Sequence, residues 1–274
     1  MNFYRVSTIG KGSFSTVYLI KNKNNGNTYV QKIIKKKYFA YTKNESKILS
    51  LLKKIKHKNI VEFIEEIIVE DERSFIFEKL KMNLYNFYKQ YPEKIDFNFI
   101  IKFTYQISSA LEHIHRLFII HADLKPENIM ISNNSSDDLK IIDFGSCIIN
   151  SNEPISNFYV VSRYYRSPEI VYKKKYNEKI DIWSLGCIIF ELFTKHPLFY
   201  SQNNNNLKSL FRNFTFKHNI LYELKKCQIF YSLDLITQLN IIIFLSKILE
   251  FDQKKRYTAK QCLCDNFITS TIIE

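Results

Sequence analysis

Asp123, Lys125 and Asn128 stand within one short stretch, and Asp143 follows a little further on. Residues 119–145 read IIHADLKPENIMISNNSSDDLKIIDFG, so an apolar pair precedes the polar cluster and a second apolar run leads into Asp143. A carboxylate, Asp123, would orient an attacking hydroxyl, and an ammonium, Lys125, would counter charge on a moving phosphoryl group. An amide, Asn128, and a second carboxylate, Asp143, would hold a metal ion. Transfer of a phosphoryl group from a magnesium nucleotide needs this set.

Such a cluster needs upstream elements that supply a further cation and a cover for phosphate. Residues 28–34 read as a strand carrying Lys32, and the following helix carries Glu45. Ile48, Leu51, Leu52 and Ile55 give that helix one apolar face. A lone lysine on a strand or a lone glutamate on a helix would face water; with the downstream cluster, the ion pair Lys32–Glu45 is the preferred reading. Residues 3–10 and 14–20 read as strands around the turn GKGSFSTV. Gly10 and Gly12 would admit backbone amides to phosphate, and an ordinary hairpin turn would look the same.

Residues 60–69 and 74–77 read as two more strands, and composition turns helical near residue 80. Residues 96–115 carry the stripe Ile100, Phe103, Ile107, Ala110, Leu111 and Ile114. DIWSLGCIIFELF is apolar nearly all round, as in a buried helix, and Asp181 near its start would accept amides from the Asp123 loop or cap the helix. Residues 133–138 read as a water-facing turn before a strand at 139–142, and 145–165 as a long mobile segment. Residues 203–206 read as a polar loop tip, with helices at 235–249 and 259–267.

The order His-x-Asp-x-Lys-x-x-Asn followed by Asp-Phe-Gly resembles the catalytic loop and metal-binding turn of protein kinases. The resemblance runs from about Tyr4 to Phe267. Within that superfamily the chain is most similar to the dual-specificity Tyr-phosphorylation-regulated kinases of the CMGC group, with a splicing-related relative close behind. HAD in place of a loop arginine, NLYNF, DFGSC and YVVSRYYRSPE carry this similarity.

The resemblance implies an α+β, bilobal fold in one kinase domain over residues 1–274, with a β-rich N-lobe (1–80) and a mainly helical C-lobe (81–274). It implies ATP and Mg2+ as the bound pair, with Asn128 and Asp143 as metal ligands and Asp123, Lys125, Lys32 and Glu45 as the catalytic set. Nucleotide would meet the turn residues Ile9, Gly10, Lys11, Gly12, Ser13, Phe14, Ser15, Thr16 and Val17. Ser15 stands where the family has a third glycine. Val30 replaces the usual alanine against adenine, Phe77 guards the rear, and backbone groups near Glu78 and Leu80 hold the base. Glu169 would pair with Arg256. Tyr159 would be phosphorylated by the enzyme on itself and held by Arg163 and Arg166, unless it is merely a packed aromatic. A proline after the phosphoacceptor is a family-level expectation. No extension precedes the glycine turn and the segment between Phe199 and Asp252 is short, so regulatory modules would come from partners.

Composition sets outer limits. The chain has 274 residues, 46% of them hydrophobic and 24% charged, an ordinary globular balance. Its net charge of +13 allows an anionic partner without choosing one. The five cysteines show no paired metal-type spacing, which points to a reducing compartment, cytoplasmic or nuclear. No apolar run reaches the roughly 20 residues of a membrane span. Two alternatives belong to other classes: a pseudokinase scaffold, disfavoured by the retained ionisable set, and a nucleic-acid-binding module. The basic runs 35–37, 173–175 and 254–256 read as scattered, solvated surface without interleaved aromatics. Protein substrates and a monomeric state are the expectation.

Overall fold

The computed structural model describes residues 2–12, 14–69, 72–133, 135, 137–149 and 161–272. Five antiparallel strands open the chain: β1 (Phe3–Lys11), β2 (Ser15–Asn22), β3 (Thr28–Ile34), β4 (Phe63–Val69) and β5 (Glu72–Glu78), in the order β1-β2-β3-β5-β4. Their β-branched and aromatic residues suit a half-buried pleated surface. Helix α1 (Lys43–Lys54) lies beside this sheet. It buries Glu45, Ile48, Leu49 and Leu52, spaced i, i+3, i+4 and i+7. The expected stripe was offset: Ile55 lies beyond the last helical turn and is exposed, and Leu49 takes the inner position.

After Glu78 the chain passes through Leu80 into a helical lobe. β6 (Met82–Asn83) pairs with β8 (Ile129–Ile131), which pairs with β9 (Leu139–Ile141), and β7 (Ile119–Ile120) pairs with β10 (Ile148–Ile149). The helices are α2 (Leu84–Gln90), α3 (Phe97–Arg116), α4 (Pro168–Val171), α5 (Lys179–Thr194), α6 (Asn204–Arg212), α7 (Tyr222–Lys226), α8 (Gln228–Tyr231), α9 (Leu235–Ile248), α10 (Ala259–Leu263) and α11 (Asn266–Ile272). This sheet-rich lobe followed by a helical one is the bilobal protein kinase fold.

Short polar side chains set the helix starts. Asp96 accepts from Phe99 N at 2.7 Å to open α3, and Thr258 and Gln261 form a reciprocal capping box on α10. Asn203, expected in a loop tip, accepts from Asn206 N at 2.9 Å and starts α6. The helix expected over 259–267 breaks at Cys264 and Asp265, where Asp265 Oδ1 takes the amide of Phe267 at 2.9 Å and restarts the chain as α11. The turn before β9 is not simply solvated: Gln106 Nε2 donates to the carbonyl of Asp137 at 2.8 Å, and Lys102 pairs with its carboxylate.

Helix α5 is the spine of the large lobe, buried from Ile180 to Phe193. Trp183 stacks on Phe199 at 5.6 Å. Gly186 permits the close approach of α9, since a Cβ there would stand 2.8 Å from Leu249 Cδ2.

The chain passes between the lobes at Leu80–Lys81, where Lys81 N donates to Ile131 O at 3.0 Å. Several contacts also tie them together, among them Asn59, whose Nδ2 donates to Gln106 Oε1 at 2.7 Å and Leu139 O at 2.8 Å, while its carbonyl accepts from Ile141 N at 2.9 Å. Beside it, Val61 N donates to Ile141 O at 3.0 Å.

Candidate active site

Between the lobes lies a cleft of about 420 Å³. Ile9, Val17, Leu19 and Val30 form its roof, and Met130 and Ile142 its floor. Phe77, Glu78 and Leu80 close one side, and Lys32 and Asp143 stand at the polar end. The apolar slot with a charged end suits a flat heterocycle bearing phosphates. Among the described residues, the backbone of Leu80 makes no hydrogen bond, which leaves an amide and a carbonyl for a base. The side-chain carboxylate of Glu78 accepts from Glu62 N at 2.7 Å and from Lys140 at 2.6 Å.

Strand β3 places Lys32 opposite Val17 and Phe75, aimed under the sheet. Its Nζ meets Glu45 Oε1 at 2.6 Å and Asp143 Oδ1 at 2.8 Å. Burial alone would disfavour the ammonium, but Asp143 and Glu45 outweigh it and raise the lysine above its ordinary range. Lys32 in turn holds the Asp143 carboxyl down at about 2. Burial pushes the Glu45 carboxyl up against the pull of Lys32. Gly145 packs closely here: a Cβ on it would stand 3.3 Å from both Asp143 Oδ1 and Lys32 Nζ, and those side chains would have to give by a few tenths of an ångström. Phe144, next to Asp143, is buried edge-on against the His121 ring at 5.5 Å.

Asp123 anchors the second group. Its Oδ2 accepts from Lys125 Nζ at 2.7 Å and Asn128 Nδ2 at 3.1 Å. Its Oδ1 accepts from the amide and hydroxyl of Ser162 at 3.1 and 2.8 Å, and Lys125 also donates to Ser162 Oγ at 3.0 Å. The loop is held from below by Asp181, which accepts from His121 N and Ala122 N, each at 2.9 Å, and contacts His115 Nε2 at 2.9 Å. Ala122 is fully buried with φ +60. Near the loop, Glu169 and Arg256 form a buried two-point pair at 2.6 and 2.9 Å.

Asn128 Nδ2 is committed to the Asp123 carbonyl at 2.8 Å as well as to its carboxylate, so the amide oxygen is the end left for a cation. That oxygen and the half-exposed Asp143 carboxylate are hard donors. Among the described residues no cluster of three His, Cys, Asp or Glu exists. A hard divalent ion bound by few protein oxygens and completed by phosphates is the type that fits, which is the habit of Mg2+.

The rest of the expected set is distributed less simply. Ser15 lines the cleft, whereas Gly10 and Lys11 at the end of β1, Gly12 and Phe14 in the turn, and Thr16 in β2 are not among its lining residues. Gly12 N closes the turn on Ser15 O at 2.9 Å, and Phe14 packs edge-on against Tyr38 at 4.8 Å. Ser13 and Tyr159 lie outside the described residues. Arg163 donates to the Gln202 carbonyl. Arg166 donates to Val161 O and, through Nη1 at 2.7 Å, to Asn204 Oδ1. Ser162 was not singled out in the sequence; a serine in a loop carries no spacing signal, and only its contact with Asp123 marks it.

A family model described as protein kinase domain matches residues 3–268. The chain belongs to the protein kinase family. This kinase domain is 39% identical over 203 residues to the probable serine/threonine-protein kinase dyrk2 of Dictyostelium discoideum, covering 72% of this chain and 22% of the relative. It is 38% identical to homeodomain-interacting protein kinase 1 of Caenorhabditis elegans, covering 70% of this chain and 23% of that protein. The probable dual specificity protein kinase YAK1 homolog of Encephalitozoon cuniculi is 36% identical, with 73% of this chain and 49% of the relative covered. The matches thus span less than half the length of these relatives, all of the CMGC kind that the sequence resembles. Among the described residues, no helix of this kinase domain is long and apolar enough to cross a membrane.

Proposed function

We propose that this chain is a protein serine/threonine kinase that moves the γ-phosphoryl group of ATP to a hydroxyl of a protein substrate. The observation that carries the reading is Lys32 bridging Glu45 and Asp143 at the polar end of the cleft, with a second group, Asp123 clasped by Lys125, Asn128 and Ser162, tied to the cleft floor where Ile142 N donates to Asn128 O at 2.9 Å. Asn128 and Asp143 would hold Mg2+, which when bound supplies positive charge to the phosphates. Lys32, fixed by Glu45, would take the α- and β-phosphates. Four donors fill the four lone-pair directions of the Asp123 carboxylate. An incoming hydroxyl must therefore displace one, and Lys125 is the donor with a new partner to go to, the transferring phosphoryl. Asp123 then orients the hydroxyl and receives its proton. Positioning and electrostatics do most of the work. A pseudokinase would be expected to lack one of these groups, and each is present.

The segment touching Asp123 also bears on the substrate. Val161 sits at φ +66 and its carbonyl accepts Arg166 Nε at 3.0 Å and Nη2 at 2.7 Å. A substrate residue following the reacting hydroxyl passes this segment and finds the carbonyl taken. Proline, with no N–H to satisfy, loses least there. Tyr159 is the proposed site of self-phosphorylation, with Arg163 and the Nη1 of Arg166 exchanging the oxygens of Gln202 and Asn204 for phosphate while Arg166 Nε and Nη2 stay on Val161. A reducing compartment fits the five free cysteines.

The test is Asp123→Asn assayed with labelled ATP, Mg2+ and Ser-Pro or Thr-Pro peptides. Turnover should fall by about a thousandfold or more with nucleotide affinity retained. Equal turnover in variant and parent removes Asp123 from the mechanism.

A further inference from the structure

Two of the basic runs that look scattered along the sequence share one face of the large lobe. Gln253 Nε2 donates to the carbonyl of Lys175 at 2.8 Å, and Lys179 Nζ donates to that of Lys254 at 3.3 Å. Arg256 is the fastener between them and not part of the surface. It is buried on Glu169 and also donates to the carbonyl of Lys179 at 3.0 Å. Lys173 turns the chain at φ +54, and Lys173, Lys174 and Lys175 all stay exposed, as do Lys254 and Lys255. Lys179, half-buried, completes the set. The carboxylates in these segments are Glu178, Glu250 and Asp252, so ammonium groups outnumber them.

We propose that this face docks an acidic segment of a partner protein, rich in Asp and Glu. Its cationic excess complements such a segment. Its cations are lysines, compact point charges without the planar fork that grips phosphate at two points. Tyr172 and Tyr257 are half-buried and Tyr176 is buried, so no open ring offers a base a stacking platform. Among the described residues, no large apolar side chain is exposed over 161–180 or 250–260, so nothing is available to enter lipid. The intervening carboxylates interrupt the regular path that a phosphate backbone would follow, while a flexible peptide can pass them. Through Glu169 the face is tied to α4, which follows the segment that touches Asp123.

Binding is measured without nucleotide, so the outcome does not depend on phosphoryl transfer. Fluorescence anisotropy follows a labelled Glu-rich peptide titrated with the full chain. Affinity should fall about tenfold or more when salt is raised to about 0.5 M. The combined Lys173→Glu, Lys174→Glu and Lys175→Glu variant and the Lys254→Glu, Lys255→Glu variant should each weaken binding by about tenfold. The control Lys89→Glu, Lys94→Glu, two exposed lysines outside these segments, should bind as the parent does. Glutamine versions of both sets, checked for unchanged thermal unfolding, should keep the same ranking. Equal affinity in parent and face variants overturns the proposal. So does tighter, lysine-dependent binding of an RNA oligonucleotide or of phosphatidylserine vesicles.

Discussion

Arg166 holds the carbonyl oxygen of Val161 through two nitrogens, Nε at 3.0 Å and Nη2 at 2.7 Å. Val161 is β-branched and sits at φ +66, a conformation that costs on the order of 1–3 kcal/mol and persists only when its surroundings impose it. The arginine stabilises that turn and withdraws its acceptor from any substrate. Arg166→Ala should therefore lower the ratio of kcat/KM for Pro over Ala after the phosphoacceptor by about tenfold. Paired peptides differing at that position measure it; an unaltered ratio would sink the idea.

Ser162 links Asp123 to Lys125 through one hydroxyl, with contacts of 2.8 and 3.0 Å. Removing it in Ser162→Ala leaves the catalytic carboxylate less firmly oriented. A hydrogen bond to a charged group contributes roughly 1.5–3 kcal/mol, so kcat should fall about tenfold or more. KM for ATP should stay put, and Ser162→Thr should retain most of the rate. Steady-state kinetics on the three proteins decide it.

Arg256 is buried on Glu169 and also lies 5.1 Å from the Trp183 ring. Arg256→Leu strands a buried carboxylate, which costs about 3–5 kcal/mol. Urea denaturation should show that loss, and Glu169→Gln in the same chain should restore part of it. A variant as stable as the parent would contradict the account.

His57 supplies a pH dependence. Its Nδ1 accepts from Asn59 N at 3.1 Å, which requires an unprotonated nitrogen, and Nε2 contacts Ser109 Oγ at 3.1 Å. Burial first, then the nearby His113 and Lys58, push the imidazole down to about 4. Between that value and the ordinary 6.5 the unfolded chain binds the proton and the folded one does not. The stabilisation is therefore full above 6.5 and is lost as pH falls toward 4. The thermal midpoint should decline through this window, and His57→Gln should flatten the decline. A parallel decline in both proteins would assign it elsewhere.

Some of this was legible in the residues and some was not. Asp123, Lys125 and Asn128 are close in sequence and carry scarce chemistry, so their types alone indicated the reaction. Lys32 and Glu45 could be paired because a strand lysine and a helix glutamate had one charged site to share. Ser162 could not be found this way, because its role is a contact made by a segment without periodicity. The offset of α1 has a related cause: Ile55 completes a stripe by spacing, but the helix ends at Lys54, before it, and Leu49 is buried in its place. The gathering of residues 173–175 with 254–255 depends on tertiary bonds of Gln253 and Arg256, which no spacing rule encodes.

Asn59 on β9 is one of several threads that stitch the small lobe to the large one, with Glu78 on Lys140 and His57 on Ser109 beside it. Lys32 on Asp143 is the stitch at the polar end of the cleft itself. The lobes cannot part there while that ion pair stands, so whatever draws Lys32 away from Asp143 also loosens the seam.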